Sequence, residues 1–364
     1  MSGHRHRRIP TLIAALAFAT ALPCAAQTPV SLHFDSVFYA DNTEFDNPFR
    51  SGETILGSNQ RVFFEIRPGK RAALRVGVYA LERAGSRSAV DKALPIVALQ
   101  IGDARQRFIL GTLESTRRQG FGPDRTTPHD LLPPLATETL WFERAYEAGL
   151  QWLIDTPGYR HDLWFDYQHI NGPGNREKFD AGMVGRARVA GPAAFAYQFH
   201  VVHHGGQQFD DGPVSDSFGF GPGLILEGRV GKLQSASLEL YGLAAYDRPD
   251  RSDLSQTVKG KAVFLRLAAE RRPWRAHAIA WRGDNFNHED GDPNYLSTLE
   301  SGRRFRRVRD YSEIGLARVF QPAAGVDLEA SFRAHRVEAN YTYSYRVLAT
   351  IHLDLWRGSL PTIR

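Results

Sequence analysis

The sequence predicts an all-β chain, and within that class a transmembrane antiparallel up-and-down β-barrel of about 16 strands. Three observations carry this reading. Nearly every segment after residue 29 alternates apolar and polar residues at period two, which marks a strand with two unlike faces. The connections between these segments alternate strictly between short and long. An export leader precedes a chain that has no cysteine.

Residues 1–26 read as a cleaved signal peptide. MSGHRHRR carries three Arg and two His with no acid, and the apolar IPTLIAALAFATAL follows, ending in PCAAQT with small residues at Cys24 and Ala26. Cys24 is the only cysteine, so disulfides, thiolate metal sites and cysteine nucleophiles are excluded from the mature chain. That chain, 27–364, reads as one domain. The leader takes three of the 45 basic residues, which leaves 42 against 40 acidic ones, and no nucleic-acid partner is expected. No apolar run after residue 26 approaches 18 residues. This excludes membrane-spanning helices but not a barrel, whose lipid-facing and lumen-facing residues average out as soluble.

The strands are justified one by one. In 61–67, Val62, Phe64 and Ile66 oppose Arg61, Phe63, Glu65 and Arg67; in 162–168, Leu163, Phe165 and Tyr167 oppose Asp162, Trp164, Asp166 and Gln168. FDAGMVGRARV (179–189) sets Phe179, Ala181 and Met183 against Asp180, Arg186 and Arg188. FAYQFHVVHHGG (195–206) sets Phe195, Tyr197, Phe199 and Val201 toward lipid, with Gln198 and His200 toward the lumen, and leaves the sheet at His203. VDLEASFRAHR (326–336) and YRVLATIHLDLW (345–356) repeat the pattern, whereas 308–320 alternates poorly. The three histidines 200, 203 and 204 are not expected to chelate one ion, because the two that share a face stand roughly 13 Å apart along a strand.

Short turns fall at 67–71, 101–106, 156–161, 189–193, 229–234, 271–275 and 321–325. Longer, more polar links fall at 42–54, 83–92, 116–147, 171–178, 203–215, 247–257 and 283–306, with a tight eighth near 337–342. A barrel inserted from the periplasm keeps every second connection tight and lets the others grow outside. A soluble sandwich has no reason to sort its loops this way.

With the leader, the cysteine-free mature chain, the alternating strands and the loop asymmetry in place, the sequence resembles Gram-negative outer-membrane β-barrel proteins, porins in particular. FYADNTEFDNPF (38–49), EAGLQWLID (147–155) and LWFDYQHIN (163–171) also look like a poorly characterised group of such barrels. The resemblance implies residence in the outer membrane, contact with outer-membrane lipid and lipopolysaccharide, and insertion by the barrel-assembly machinery. One departure is that RGSLPTIR follows the terminal aromatic Trp356.

The expected function is a pore for polar solutes, with saccharide or exopolysaccharide passage preferred and no enzymatic activity, cofactor or metal. Arg61, Glu65, Arg67, Trp164, Asp166, Arg186, Arg188, His200, Arg266, Asp327, Glu329, Arg333, Arg346 and Asp354 are expected to line it. Charges on a pore wall select solutes, although opposite charges can equally well pair across strands. The link 116–147 resembles the third loop of porins, which folds into the lumen. Pro133-Pro134 precedes a stretch with helical character, and Arg117, Arg118, Asp130, Glu138, Trp141, Glu143 and Arg144 are the expected constriction residues.

Two alternatives stay open. A soluble glycan-binding β protein is one. A barrel enzyme acting on lipid is the other, and it needs a Ser or Thr nucleophile beside a His. His335 and His352 have inward parity with Ser331 and Asp354 nearby, but G-x-S-x-G is absent. HEDGDPN (288–294) and FDDGPVSD (209–216) have oxygen ligands near Gly but lack a full calcium-loop spacing.

Overall fold

A computed structural model describes residues 27–115, 127–298 and 306–360. Residues 1–26, expected to be a signal peptide, and the expected constriction residues Arg117 and Arg118 lie outside the described residues. Sixteen strands run in chain order: β1 (Thr28–Asn47), β2 (Arg50–Gly69), β3 (Ala72–Arg83), β4 (Lys92–Gly102), β5 (Gln106–Thr112), β6 (Ala148–Asp155), β7 (Tyr159–His169), β8 (Glu177–Ala190), β9 (Ala193–Gly205), β10 (Ser215–Gly228), β11 (Ser235–Arg248), β12 (Val258–Arg271), β13 (Trp274–Asp284), β14 (Val308–Ala323), β15 (Val326–Val337) and β16 (Asn340–Leu360). Each pairs antiparallel with its sequence neighbours, and β1 pairs with β16, so the sheet closes and leaves no edge.

The period-two pattern becomes a radial sorting. On β15, Leu328 and Phe332 are exposed to the outside, whereas Glu329 and His335 are buried inward. On β9, Phe195 points out and Gln198 and His200 are buried. The alternation follows from strand geometry, since successive Cβ atoms leave opposite faces of the sheet. All seven predicted short turns lie at the end of the barrel that carries the termini, the periplasmic end of an outer-membrane barrel.

Three boundaries differ from expectation. The first link, read as a long loop over 42–54, is strand on both sides of a hairpin at 48–49. Its polar residues belong to the strands: Thr43 and Glu53 bond to each other across the hairpin. β9 continues through His203 and His204 to Gly205, because both histidines find partners, Asp216 and Glu289. β16 begins at Asn340 and runs past Trp356 to Leu360.

The lumen is filled by two external links. Residues 127–147, between β5 and β6, fold inward with a short helix α1 (Thr139–Glu143). Residues 285–298, between β13 and β14, pack beside them: the Thr137 N–H donates to the Asp290 carbonyl at 2.7 Å, and the Asp292 N–H to the Pro133 carbonyl at 2.9 Å. Leu131, Leu132, Leu135, Phe142 and Phe286 are fully buried there. The approach to the wall is close enough that a Cβ on Gly219 would overlap Leu135 and His288. Hence Gly219 on β10 is a packing requirement rather than a turn.

Candidate active site

The inward faces of β14, β15 and β16 converge near the external end of the barrel. The register sets Glu313 directly opposite His335, and Arg333 opposite Ser344. Ser344 also faces Thr43 of β1. His335 lies two residues before the external end of β15, and Ser344 four residues after the start of β16. Both therefore sit roughly 15 Å or less along the strand from the tip of their hairpin, toward the external end of the barrel.

These side chains form a continuous hydrogen-bonded chain. Ser344 Oγ is 2.8 Å from His335 Nε2. On the other side of the ring, His335 Nδ1 is 2.7 Å from the Tyr311 hydroxyl and 3.3 Å from Glu313 Oε2. The Tyr311 hydroxyl donates to that same Glu313 oxygen at 2.6 Å, and His277 Nε2 reaches the other at 2.5 Å. Because Tyr311 spends its proton on Glu313, its oxygen can accept only from an Nδ1–H. The tautomer that satisfies every partner thus leaves Nε2 unprotonated and facing the Ser344 hydroxyl. A hydroxyl, an imidazole and an orienting carboxylate in this order form the arrangement of a general-base-activated nucleophile. All of these groups are buried.

Two guanidiniums flank the serine: Arg346 is two residues along the same inward face, and Arg333 is its register partner. Both donate to Glu138 of the inward-folded loop, at 3.0 Å and 2.6 Å. Burial opposes ionisation of Glu138, but the two arginines outweigh it and hold its carboxyl down at about 2. The cavity beside Ser344, Glu138 and Glu313 has about 50 Å³ of water-sized space. That admits water but no acyl chain.

A second network pins the same loop. His129 carries carboxylates on both ring nitrogens, Asp162 at 2.9 Å and Glu147 at 2.6 Å, and stacks on Trp164 at 3.9 Å. Burial pulls its pKa down, yet the two carboxylates prevail and raise it well above the ordinary histidine value. With both nitrogens occupied, this imidazole is a structural cation and has no face left for a nucleophile. His129 and Asp130 both adopt left-handed backbone conformations (φ 52° and 57°), a costly pair for residues with side chains that these contacts hold in place.

Of the expected constriction residues, Asp130 and Trp141 are buried in the lumen, and Glu143 faces Arg83 at 3.5 Å. Arg144 bridges Asp180 of β8 (3.0 Å) and Asp290 of the other loop (2.6 Å). Asp180, His200 and Asp290 bring three potential metal-ligand atoms within 4.8 Å of one another. This needed ligands from another strand and a loop, as the histidine spacing demanded. However, Arg144, Trp164 Nε1 (3.0 Å) and Gln168 (2.7 Å) already satisfy the carboxylates. The cluster is an ion-paired clasp that contains its own cation.

The expected wall residues divide by partner. Asp166 accepts the Ala148 N–H at 2.8 Å, and Arg61 donates to the Ala145 carbonyl, so both serve the loop. Glu65 pairs with Arg67 and Arg75, Glu329 with Arg275, and Arg186 with Glu227. Arg266 is buried, Asp327 half-buried and Arg188 exposed. Asp354 lies at the periplasmic rim with His33 and Arg357. The anticipated hydrolase partners are regrouped. His335 meets Ser344 rather than Ser331, while His352 meets Asp35 at 3.0 Å, near the opposite end of the barrel. Ser344, Glu313 and Tyr311 were missed because 308–320 alternates poorly and 345–356 begins one residue too late. The inward parity of Thr342, Ser344 and Arg346 was the available signal.

A family model described as lipid A 3'-O-deacylase-type matches residues 22–355. The chain belongs to this family. No curated protein sequence matches. Among solved structures, the deacylase-type chain is similar to a loop L8 deletion mutant of OmpT, an outer-membrane protein of Vibrio cholerae. The TM-score is 0.57 at 10% identity, with 90% of this chain and 100% of that one covered. It is similar too to an anion-selective porin from Comamonas acidovorans (TM-score 0.52, 9% identity, 89% and 100% covered) and to OccK2 of Pseudomonas aeruginosa (0.52, 10%, 90% and 98%). At such identity these likenesses establish the outer-membrane barrel fold alone. The family overturns one expectation outright: a barrel read as non-enzymatic belongs to a family named for an enzyme.

Proposed function

We propose that this deacylase-type barrel hydrolyses an ester-linked acyl chain of an outer-leaflet lipid of the lipid A class, with Ser344 as nucleophile. The observation that carries the proposal is the chain Ser344 Oγ–His335 Nε2, His335 Nδ1–Tyr311/Glu313, near the external end of the barrel. Ser344 Oγ attacks the ester carbonyl while Nε2 takes its proton. The imidazolium so formed is stabilised by Glu313 and then returns that proton to the departing sugar alkoxide as the C–O bond breaks. Water, deprotonated by the same nitrogen, then attacks the acyl carbonyl; the bond from that carbon to Ser344 Oγ breaks, Nε2 returns the proton to Oγ, and the fatty acid leaves. Arg333 or Arg346 supplies positive charge for the developing oxyanion.

Because the cavity is too small for an acyl chain, the loop carrying Glu138 has to withdraw from Arg333 and Arg346 to admit one. Under this reading the inward charges hold the two loops in place rather than select a solute. The test is release of fatty acid from lipid A in mixed micelles, followed by mass spectrometry, with a fluorophosphonate probe as a second readout. Wild-type protein releases one chain and is labelled at Ser344. Equal release by Ser344→Ala would sink the assignment.

A further inference from the structure

At the other end of the barrel the lumen opens into a second cavity, of about 340 Å³, bounded by the short turns 156–158, 191–192 and 229–234. Four arginines line it: Arg160, Arg186, Arg188 and Arg229. Arg160 and Arg186 are direct register partners on β7 and β8, and Arg188 follows two residues on along the same inward face. Like charges placed this way repel. Two carboxylates compensate them in part, Asp155 to Arg160 at 3.3 Å and Glu227 to Arg186 at 2.6 Å. Among the described residues, Arg188 and Arg229 have no carboxylate partner, so the cavity has two surplus positive charges.

Deeper in the barrel the inward face turns apolar: Val184, Ala194, Ala196 and Ile225 are each 1% exposed and belong to one cluster that continues to Leu131 and Leu132 of the inward-folded loop, but none of them lines the cavity. The cavity itself is a cup among the short turns with a basic, polar lining, open toward the periplasm. Such a shape focuses the field of its charges and concentrates anions. Guanidiniums forked around a small volume match the oxygens of a phosphate or carboxylate group.

We infer that this cup binds a small multivalent oxyanion, of the diphosphate class, from the periplasmic side. The site shares no residue with the Ser344 site, and nothing in the deacylation reading requires it. The proposal is tested by calorimetric titration of pyrophosphate into the full barrel in a zwitterionic detergent at low ionic strength. Saturable binding at one site is expected. Arg188→Gln combined with Arg229→Gln should weaken it by roughly tenfold or more, whereas Glu227→Gln, which removes a compensating charge, should tighten it. Ser344→Ala should leave it unchanged. Heat-dependent gel mobility confirms that each variant is folded. Absence of saturable binding in wild type overturns the inference, as does equal affinity in the double arginine variant. Tightening by Glu227→Gln guards against reading a folding defect as lost binding.

Discussion

Ser344 and His335 lie on adjacent strands with Oγ and Nε2 2.8 Å apart, although neither sits opposite the other in the register. His335 faces Thr342 and Ser344 faces Arg333, so the bond is a diagonal contact across one inward face. Its partner Glu313 is directly opposite His335 on the far side. Three neighbouring strands thus contribute one member each to the Ser344–His335–Glu313 series.

Replacing Ser344 by Ala, or His335 by Asn, should lower fatty-acid release by about 10³-fold or more, since removing one member of such a unit disables the whole. The variants should keep the wild-type heat-dependent shift on detergent gels. A loss of that shift would mean the barrel, not the chemistry, had failed.

Glu313→Gln should reduce turnover by about 10²- to 10⁴-fold, because the imidazolium loses its counter-charge and the ring its tautomer. Tyr311→Phe keeps the carboxylate and should cost about tenfold. If the two substitutions have equal effects, Tyr311 rather than Glu313 orients the ring.

The pH response of the inward loop follows from two groups. Glu138 is depressed to about 2 from 4.5, so its contribution to docking is complete above 4.5 and is lost as pH falls toward 2. His129 is raised above 6.5, so its contribution is complete below 6.5 and is lost as pH rises through the elevated value. Amide hydrogen exchange over 127–147, corrected for intrinsic rates, should show greatest protection between about pH 5 and 6.5. Greater protection at pH 10 would contradict the His129 assignment.

Glu138→Gln with Arg144→Gln should loosen the loop from Arg333, Arg346, Asp180 and Asp290. Planar-bilayer conductance should rise several-fold over wild type as the lumen opens. Unchanged conductance would show that the His129 network and the apolar contacts hold the loop without these ion pairs.

Alternation along Phe195–Val201 and Val326–His335, together with the sorting of short and long connections, was enough to predict the barrel, about sixteen strands and the wet face of those that alternate cleanly, though not of 308–320. These are consequences of covalent strand geometry and of one-sided insertion, and both are written locally in the chain. The sequence also placed His335 and Arg333 on the wet face. It did not pair His335 with Ser344, because that depends on hairpin register and on where β16 begins. Nor did it show that Glu138, Arg144 and His129 would turn the largest loop into a plug. Their partners, Arg333, Asp180, Asp162 and Asp290, lie on distant strands and on another loop. Where a strand alternates cleanly its inward parity is written locally in the sequence, whereas meeting inside the lumen is decided only when the sheet closes and brings β1 back to β16.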